Sequence, residues 1–192
     1  MKKILIFLTI FFSTIAVVNA DEMKRIVVGN KDAKITIIAF ESLTCSHCAN
    51  FHKDVYPQLK KDYLDTGLAK IEFRHFPLDI AAFNASKVSQ CKNDGDSKIL
   101  NSLFANQQKW VKGSSIQEAN ENLKKFLVSE GYNVDFEKCI NDKEIEDFVL
   151  NDRIDAVKKF KISSTPTIII NDKKFEKSLN YKNLKKALEK LI

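Results

Sequence analysis

Glycine and proline are scarce in this chain of 192 residues, with five and three respectively, and there is a single tryptophan. So few glycines leave no glycine-rich loop of the kind that cradles phosphates, and no low-complexity tract or internal repeat is present. No carboxylate pair or serine triad stands at a telling spacing. Apolar runs are short as well. The longest, Ile4 to Val18, falls below the roughly 20 residues that a helix needs to span a bilayer. The sequence also lacks a strong charge bias: 31 basic against 25 acidic residues give +6. The pairs Lys60-Lys61, Lys158-Lys159 and Lys185-Lys186 are scattered over helical patterns. They read as solvated faces, and no nucleic-acid partner is expected.

What is present begins with a leader pattern. Lys2 and Lys3 precede the apolar run, and Val18-Asn19-Ala20 offers small residues for a signal peptidase, so residues 1–20 are expected to be a cleaved signal peptide. A mature chain starting at Asp21 would carry a charge of +4, because two of the 31 basic residues are removed. No cysteine follows the cleavage site, which argues against a lipid anchor. The expected location is an oxidising compartment outside the cytoplasm. There the four cysteines, Cys45, Cys48, Cys91 and Cys139, could form two disulfides.

Along the remainder, Ile35 to Phe40 is a short β-rich run of buried-strand length, and Arg25 to Val28 can supply an edge strand ended by Gly29-Asn30. Cys48, Phe51, Val55 and Leu59 recur at helical spacing, predicting a helix from about Cys45 towards Gly67. Ala69 to Phe76 again reads as a strand. From about 78 to 151 only helical stripes occur, so an all-helical insertion is expected, followed by a short helix through Val157 to Phe160. Thr165 to Ile170 returns to strand character, a turn at Asn171-Asp172 leads to a partner strand, and an amphipathic helix ends the chain. The order predicts an α/β thioredoxin fold with an inserted all-helical subdomain, over residues 21–192.

Cys45-Ser46-His47-Cys48 is a C-x-x-C where a strand hands over to a helix. Two intervening residues let the sulfurs meet within one turn, while the first stays near the free N–H groups of the helix start. That position favours thiolate at Cys45, and a protonated His47 would add to the effect. A half zinc site and an inert bridge are the competing readings. Zinc would call for a second close pair of ligands, which Cys91 and Cys139 do not make, so no metal is expected. Thr165-Pro166 places a proline at a strand entry, where a cis peptide would explain it. His52, one helical turn beyond Cys48, reads as a partly exposed helix histidine in preference to one that tunes the pair; His75 reads as a structural strand histidine and Trp110 as a core residue.

The stretches Leu43 to His52, Phe73 to Asp79 and Asp135 to Cys139, together with Thr165-Pro166-Thr167, resemble the DsbA family of bacterial periplasmic disulfide oxidoreductases, particularly its alphaproteobacterial branch. The resemblance implies a monomeric or weakly associating dithiol oxidase, and the sequence itself gives no sign of a bound organic cofactor. Cys45 would be its exposed nucleophile, Cys48 the buried partner, Ser46 and His47 the dipeptide that tunes potential, and Thr165 with cis-Pro166 the peptide-binding loop. It further implies a structural Cys91–Cys139 bridge, reduced exported proteins as substrates and a DsbB-like, quinone-linked membrane oxidase as the reoxidising partner. The sequence departs from the family at Ser46, where proline is commoner, and at Ala39, where many relatives carry a buried acid; here Glu41 follows two residues later. A thioredoxin-like periplasmic reductase would share the motif. A non-enzymatic chaperone or binding module is the reading from a different class.

Overall fold

The computed structural model describes residues 22–192. The expected signal peptide, residues 1–20, and the cleavage point before Asp21 lie outside them. Five strands form one mixed sheet: β1 (Ile26–Gly29), β2 (Ile35–Glu41), β3 (Ala69–His75), β4 (Thr167–Ile170) and β5 (Lys173–Lys174). Their order is β1-β3-β2-β4-β5, with β2 and β3 parallel and the other neighbours antiparallel. β1 turns back at Gly29, whose φ is +104°. A Cβ there would stand 2.5 Å from the Ala69 carbonyl oxygen, so only glycine lets the edge strand lie against β3.

β2 is buried on both faces, as a central strand covered by helices should be. Ile35, Ile37 and Ala39 point into the larger core, and Ile38 and Phe40 into a smaller one with Phe76, Ala156, Ile162 and Ile169. The larger core runs without a break from the sheet into the helical insertion, through Leu103, Phe104, Trp110, Leu123 and Phe126. Trp110 is a core residue whose indole N–H donates to the Leu103 carbonyl at 2.9 Å.

After β2 comes a helical run over 46–64 that changes pitch three times: α1 (Ser46–Asn50), a π turn (Phe51–Val55), α2 (Tyr56–Leu59) and a second π turn (Lys60–Leu64). The predicted helix is therefore present but not uniform. Pro57 has no N–H for the Lys53 carbonyl, and its ring crowds that carbonyl, which widens the preceding turn. Cys48, Phe51, Val55 and Leu59 nevertheless share one buried stripe.

The helices that follow are α3 (Ile80–Gln90), α4 (Lys98–Ala105), α5 (Gln107–Trp110), α6 (Ile116–Ser129) and α7 (Phe136–Asn141). After them comes α8 (Lys143–Phe160), and α9 (Tyr181–Leu188) ends the fold. Side-chain oxygens of Asp79, Ser115, Asp135, Asp142 and Asn180 accept the free N–H groups that start α3, α6, α7, α8 and α9. α8 runs through residue 151 without a stop, where the sequence reading has a separate short helix. Its buried stripe is Ile145, Val149, Asp152 and Ala156, and the aspartate hides the periodicity. Cys91, just after α3, and Cys139 in α7 are joined by a disulfide across 48 residues of sequence.

Candidate active site

Cys45 occupies the N-cap position of α1 in extended conformation, and its side chain makes no capping bond. Its sulfur thus sits beside the open N–H groups of the first turn. Cys48 lies one turn on and is fully buried, whereas Cys45 is half-buried; both are free thiols. Thr165-Pro166 is a cis peptide immediately before β4. It brings the Thr165 carbonyl 3.5 Å from Cys45 Sγ, across 120 residues of sequence. Ser46 and His47 are exposed on the rim. Cys91 and Cys139 lie elsewhere, in the insertion.

The two sulfurs have opposite characters. Cys45 is lowered from 9.0 to about 5, first because the Cys48 thiol donates to its sulfur. Partial burial opposes this; the Thr165 side chain and the backbone N–H groups of Cys48 and His47 assist it. His47 acts through its backbone, where the sequence pattern suggested its ring. Burial pushes the Cys48 thiol far up, and the bond it donates to Cys45 and the Glu41 charge push the same way. Reduction of the pair therefore takes up one proton between about pH 5 and pH 9, at Cys48, and two below about pH 5. We expect the potential to fall by about 30 mV per pH unit in that window and twice as steeply below it. The signs agree with stability. The contribution of the depressed Cys45 to the reduced protein is complete above pH 9 and is lost as the pH falls towards 5. Redox titration against glutathione at several pH values reads the slope, and a uniform two-proton slope from pH 5 to 8 would show an unperturbed Cys45.

The insertion grips the loop that carries Cys45. Gln107 of α5 donates its side-chain amide to the carbonyls of Leu43 (2.7 Å) and Cys45 (3.0 Å). Thr44 donates to Asp79 at 2.6 Å, and the Leu78 N–H donates to Ser42 Oγ at 3.3 Å. Nothing in the sequence marks Gln107, a glutamine on a short helix about 60 residues away. Gln107→Ala is expected to cost about 1–3 kcal/mol, since a partly buried pair of carbonyls loses its donor. Urea unfolding of the reduced protein measures this, and an unchanged midpoint would dismiss the clamp.

Glu41 and His52 are the other addition. Glu41 ends β2 and His52 lies in the first π turn; both are buried, with His52 Nε2 2.9 Å from Glu41 Oε2. The partly exposed position expected for His52 is thus incorrect: a stack on Phe104, 4.1 Å between ring centres, holds it inside. Burial raises the Glu41 carboxyl and the nearby His52 lowers it, with burial the larger effect.

On the cis-proline side of α1, a groove of about 520 Å³ is lined by His47, Phe51, Thr165, Pro166, Leu179 and Tyr181, among others. A sulfur poised as thiolate, a buried partner sulfur and a cis-proline loop facing them on a βα junction form the dithiol arrangement of the thioredoxin fold. Residues 21–190 match the family model described as thioredoxin. The crystal structure of alpha-DsbA1 from Wolbachia pipientis superposes with a TM-score of 0.76 at 31% identity, covering 87% of this chain and 90% of that one. The chain belongs to the thioredoxin family, in its DsbA branch. A putative protein-disulfide oxidoreductase of Rickettsia bellii is 28% identical over 86% of this chain. Disulfide bond formation protein D of Bacillus subtilis is also 28% identical, over 85% of this chain and 75% of its own length. The chain spans 64% of the Rickettsia bellii relative and 61% of its Rickettsia prowazekii counterpart.

Proposed function

We propose that this protein is a periplasmic thiol:disulfide oxidoreductase that introduces disulfides into exported proteins through Cys45 and Cys48. The observation that carries the reading is the asymmetry of the two sulfurs beside the cis-Pro166 loop. A substrate thiolate attacks Cys45 Sγ, the only one of the pair open to solvent, and Cys48 departs. The substrate's second thiolate then displaces Cys45, a good leaving group because its thiolate is stabilised. The substrate leaves with a disulfide and the enzyme keeps both electrons as a reduced pair.

Magnitude favours the oxidising direction. A thiol of about 5 lies two units below pH 7, which stabilises the reduced form by up to about 2.7 kcal/mol, less the screening due to a half-exposed sulfur. For a two-electron couple that is at most about 60 mV towards the oxidant side.

Thr165 and Pro166 hold the substrate peptide along the groove, while Ser46 and His47 form its rim and tune the pair. The Cys91–Cys139 bridge holds the insertion that grips the Cys45 loop. The signal peptide at residues 1–20 directs export, and among the described residues no helix is long and apolar enough to cross a membrane. The protein acts as a monomer on reduced exported proteins, and a DsbB-like membrane oxidase linked to quinone reoxidises it. The test is oxidative refolding: the oxidised protein, added in stoichiometric amount to a reduced, unfolded disulfide protein without other oxidant, should transfer its disulfide and emerge with two free thiols. A substrate that stays reduced would refute the function.

A further inference from the structure

The helical run that carries the two active cysteines walls two separate clefts. On the cis-proline side, the groove of about 520 Å³ takes His47, Asn50, Phe51, Asp54 and Val55 from that run. On a different face, a cleft of about 760 Å³ between the run and α4–α5 takes Ser46, Ala49, Asn50, His52, Lys53 and Tyr56. Asn50 belongs to both walls. Ser46 and His47, the two residues that follow Cys45, divide between them, so each cleft begins beside the reactive sulfur.

The charges divide as well. Asp54 is the only carboxylate on the groove wall, which has no lysine or arginine; His47 and Tyr181 are its other ionisable residues, and the Tyr181 hydroxyl donates to a second carboxylate, Asp62. The cleft wall carries two cations, Lys53 and Lys109, and no carboxylate. Lys109 already lies 3.3 Å from Glu130. Lys53 and Asp54 are exposed and, among the described residues, enter no ion pair or side-chain hydrogen bond. Consecutive helical positions point roughly 100° apart, so this one dipeptide sends opposite charges to the two sides. The cleft holds a second sign of an occupant. Tyr56 Oη and Asn101 Oδ1 lie on its wall, buried without a hydrogen-bond partner, and Tyr56 is only 7% exposed. A hydroxyl donor and a carbonyl acceptor are what a peptide group would satisfy.

We propose that Lys53 and Asp54 are specificity-determining residues that read the charge of the substrate polypeptide on either side of its reacting cysteine. Asp54 favours a basic residue in the cis-proline groove, and Lys53 an acidic one in the cleft on the other face. The inference rests on the redox function above and adds a substrate class: unfolded chains in which opposite charges flank the cysteine in one order. Length fits this assignment. Eight or nine residues of helix at about 1.5 Å each place the pair roughly 13 Å from the start of α1. An extended peptide at about 3.3 Å per residue covers that in about four residues, so the positions read are three or four from the cysteine. A substrate in the reverse order would set like charges against each other on both sides, which discriminates more strongly than either attraction alone.

The experiment uses two peptides of identical composition, each with one cysteine carried as its thionitrobenzoate disulfide. One has lysines three and four residues before the cysteine and glutamates three and four after it; the other has the reverse. Cys45 of the reduced protein attacks the peptide sulfur, that S–S bond breaks, and thionitrobenzoate leaves with the electron pair as a coloured thiolate, whose release gives the rate. One order should react about tenfold faster at low ionic strength, the sum of two matched against two opposed exposed pairs. The ratio should shrink towards one in about 1 M salt. Exchanging the charges, Lys53→Asp with Asp54→Lys, should reverse the order, and Asp54→Asn alone should reduce the ratio to about threefold. Identical composition removes the effect of the protein's overall charge, and the exchange leaves His47 in place. Equal rates for the two peptides, or an order that the exchange fails to reverse, would overturn the proposal. A third peptide with serine at all four positions separates it from the reading on which it rests: no thionitrobenzoate released from that peptide would overturn the role of Cys45 itself.

Discussion

Replacing Cys45 by serine is expected to reduce disulfide transfer to the background of the buffer, whereas Cys48→Ser, given oxidised glutathione, should hold a stable Cys45–glutathione mixed disulfide. The difference follows from where the sulfurs sit. Cys45 is the half-exposed N-cap of α1 with N–H groups and Thr165 around it; Cys48 is buried, its thiol pushed far up. A serine hydroxyl at 45 is neither ionised near pH 7 nor able to share a disulfide, so the entry point for substrate disappears. At 48 the serine leaves the Cys45 thiolate free to attack oxidised glutathione, with one glutathione thiolate released, and removes the sulfur that would displace the second. Non-reducing gels with mass mapping of the trapped species distinguish the two, and adducts on Cys48 in the Cys45→Ser protein would reverse the assignment.

The second large effect lies away from the sulfurs. Asp152 is fully buried in α8, where it pairs with Arg25 and accepts the His75 backbone N–H at 3.0 Å. Arg25 also lies 3.5 Å from Glu72, which binds Arg74 at 2.6 Å, and it covers the Phe148 ring. This network ties the N-terminal segment and β3 to α8. Removing one partner of a buried ion pair strands the others: Asp152→Ala is expected to lose about 3–5 kcal/mol. Asp152→Asn keeps an acceptor for the His75 N–H and should lose less. Urea unfolding of both variants measures the difference, and equal losses would show that the charge does not matter.

Those two residues also show what can be read from a sequence. Cys45 stands in a local motif at a strand-to-helix change, so its place was legible from spacing alone; the run of β-branched residues at Ile35 to Ile38 likewise announced the central strand. Asp152 was not legible. A polar residue inside the buried stripe of α8 broke the 3.6-residue pattern, and the helix read as two pieces. The partner it needs, Arg25, is 127 residues away. Pro57 stands inside the predicted helix, and the stripe through Val55 and Leu59 survives because the π turn absorbs it. His52 read as exposed because helical spacing gives a face and not its neighbours: Glu41 and Phe104 reach it from other elements. Gln107 gave no signal for the same reason.

The most direct measurement is the reduction potential of the Cys45–Cys48 pair at pH 7, equilibrated against glutathione with free thiols trapped and counted. A stabilised Cys45 thiolate moves the value by up to about 60 mV from the roughly −270 mV of thioredoxin towards the roughly −120 mV of a strongly oxidising DsbA. A value near about −270 mV would contradict the donor role and make this protein a reductant.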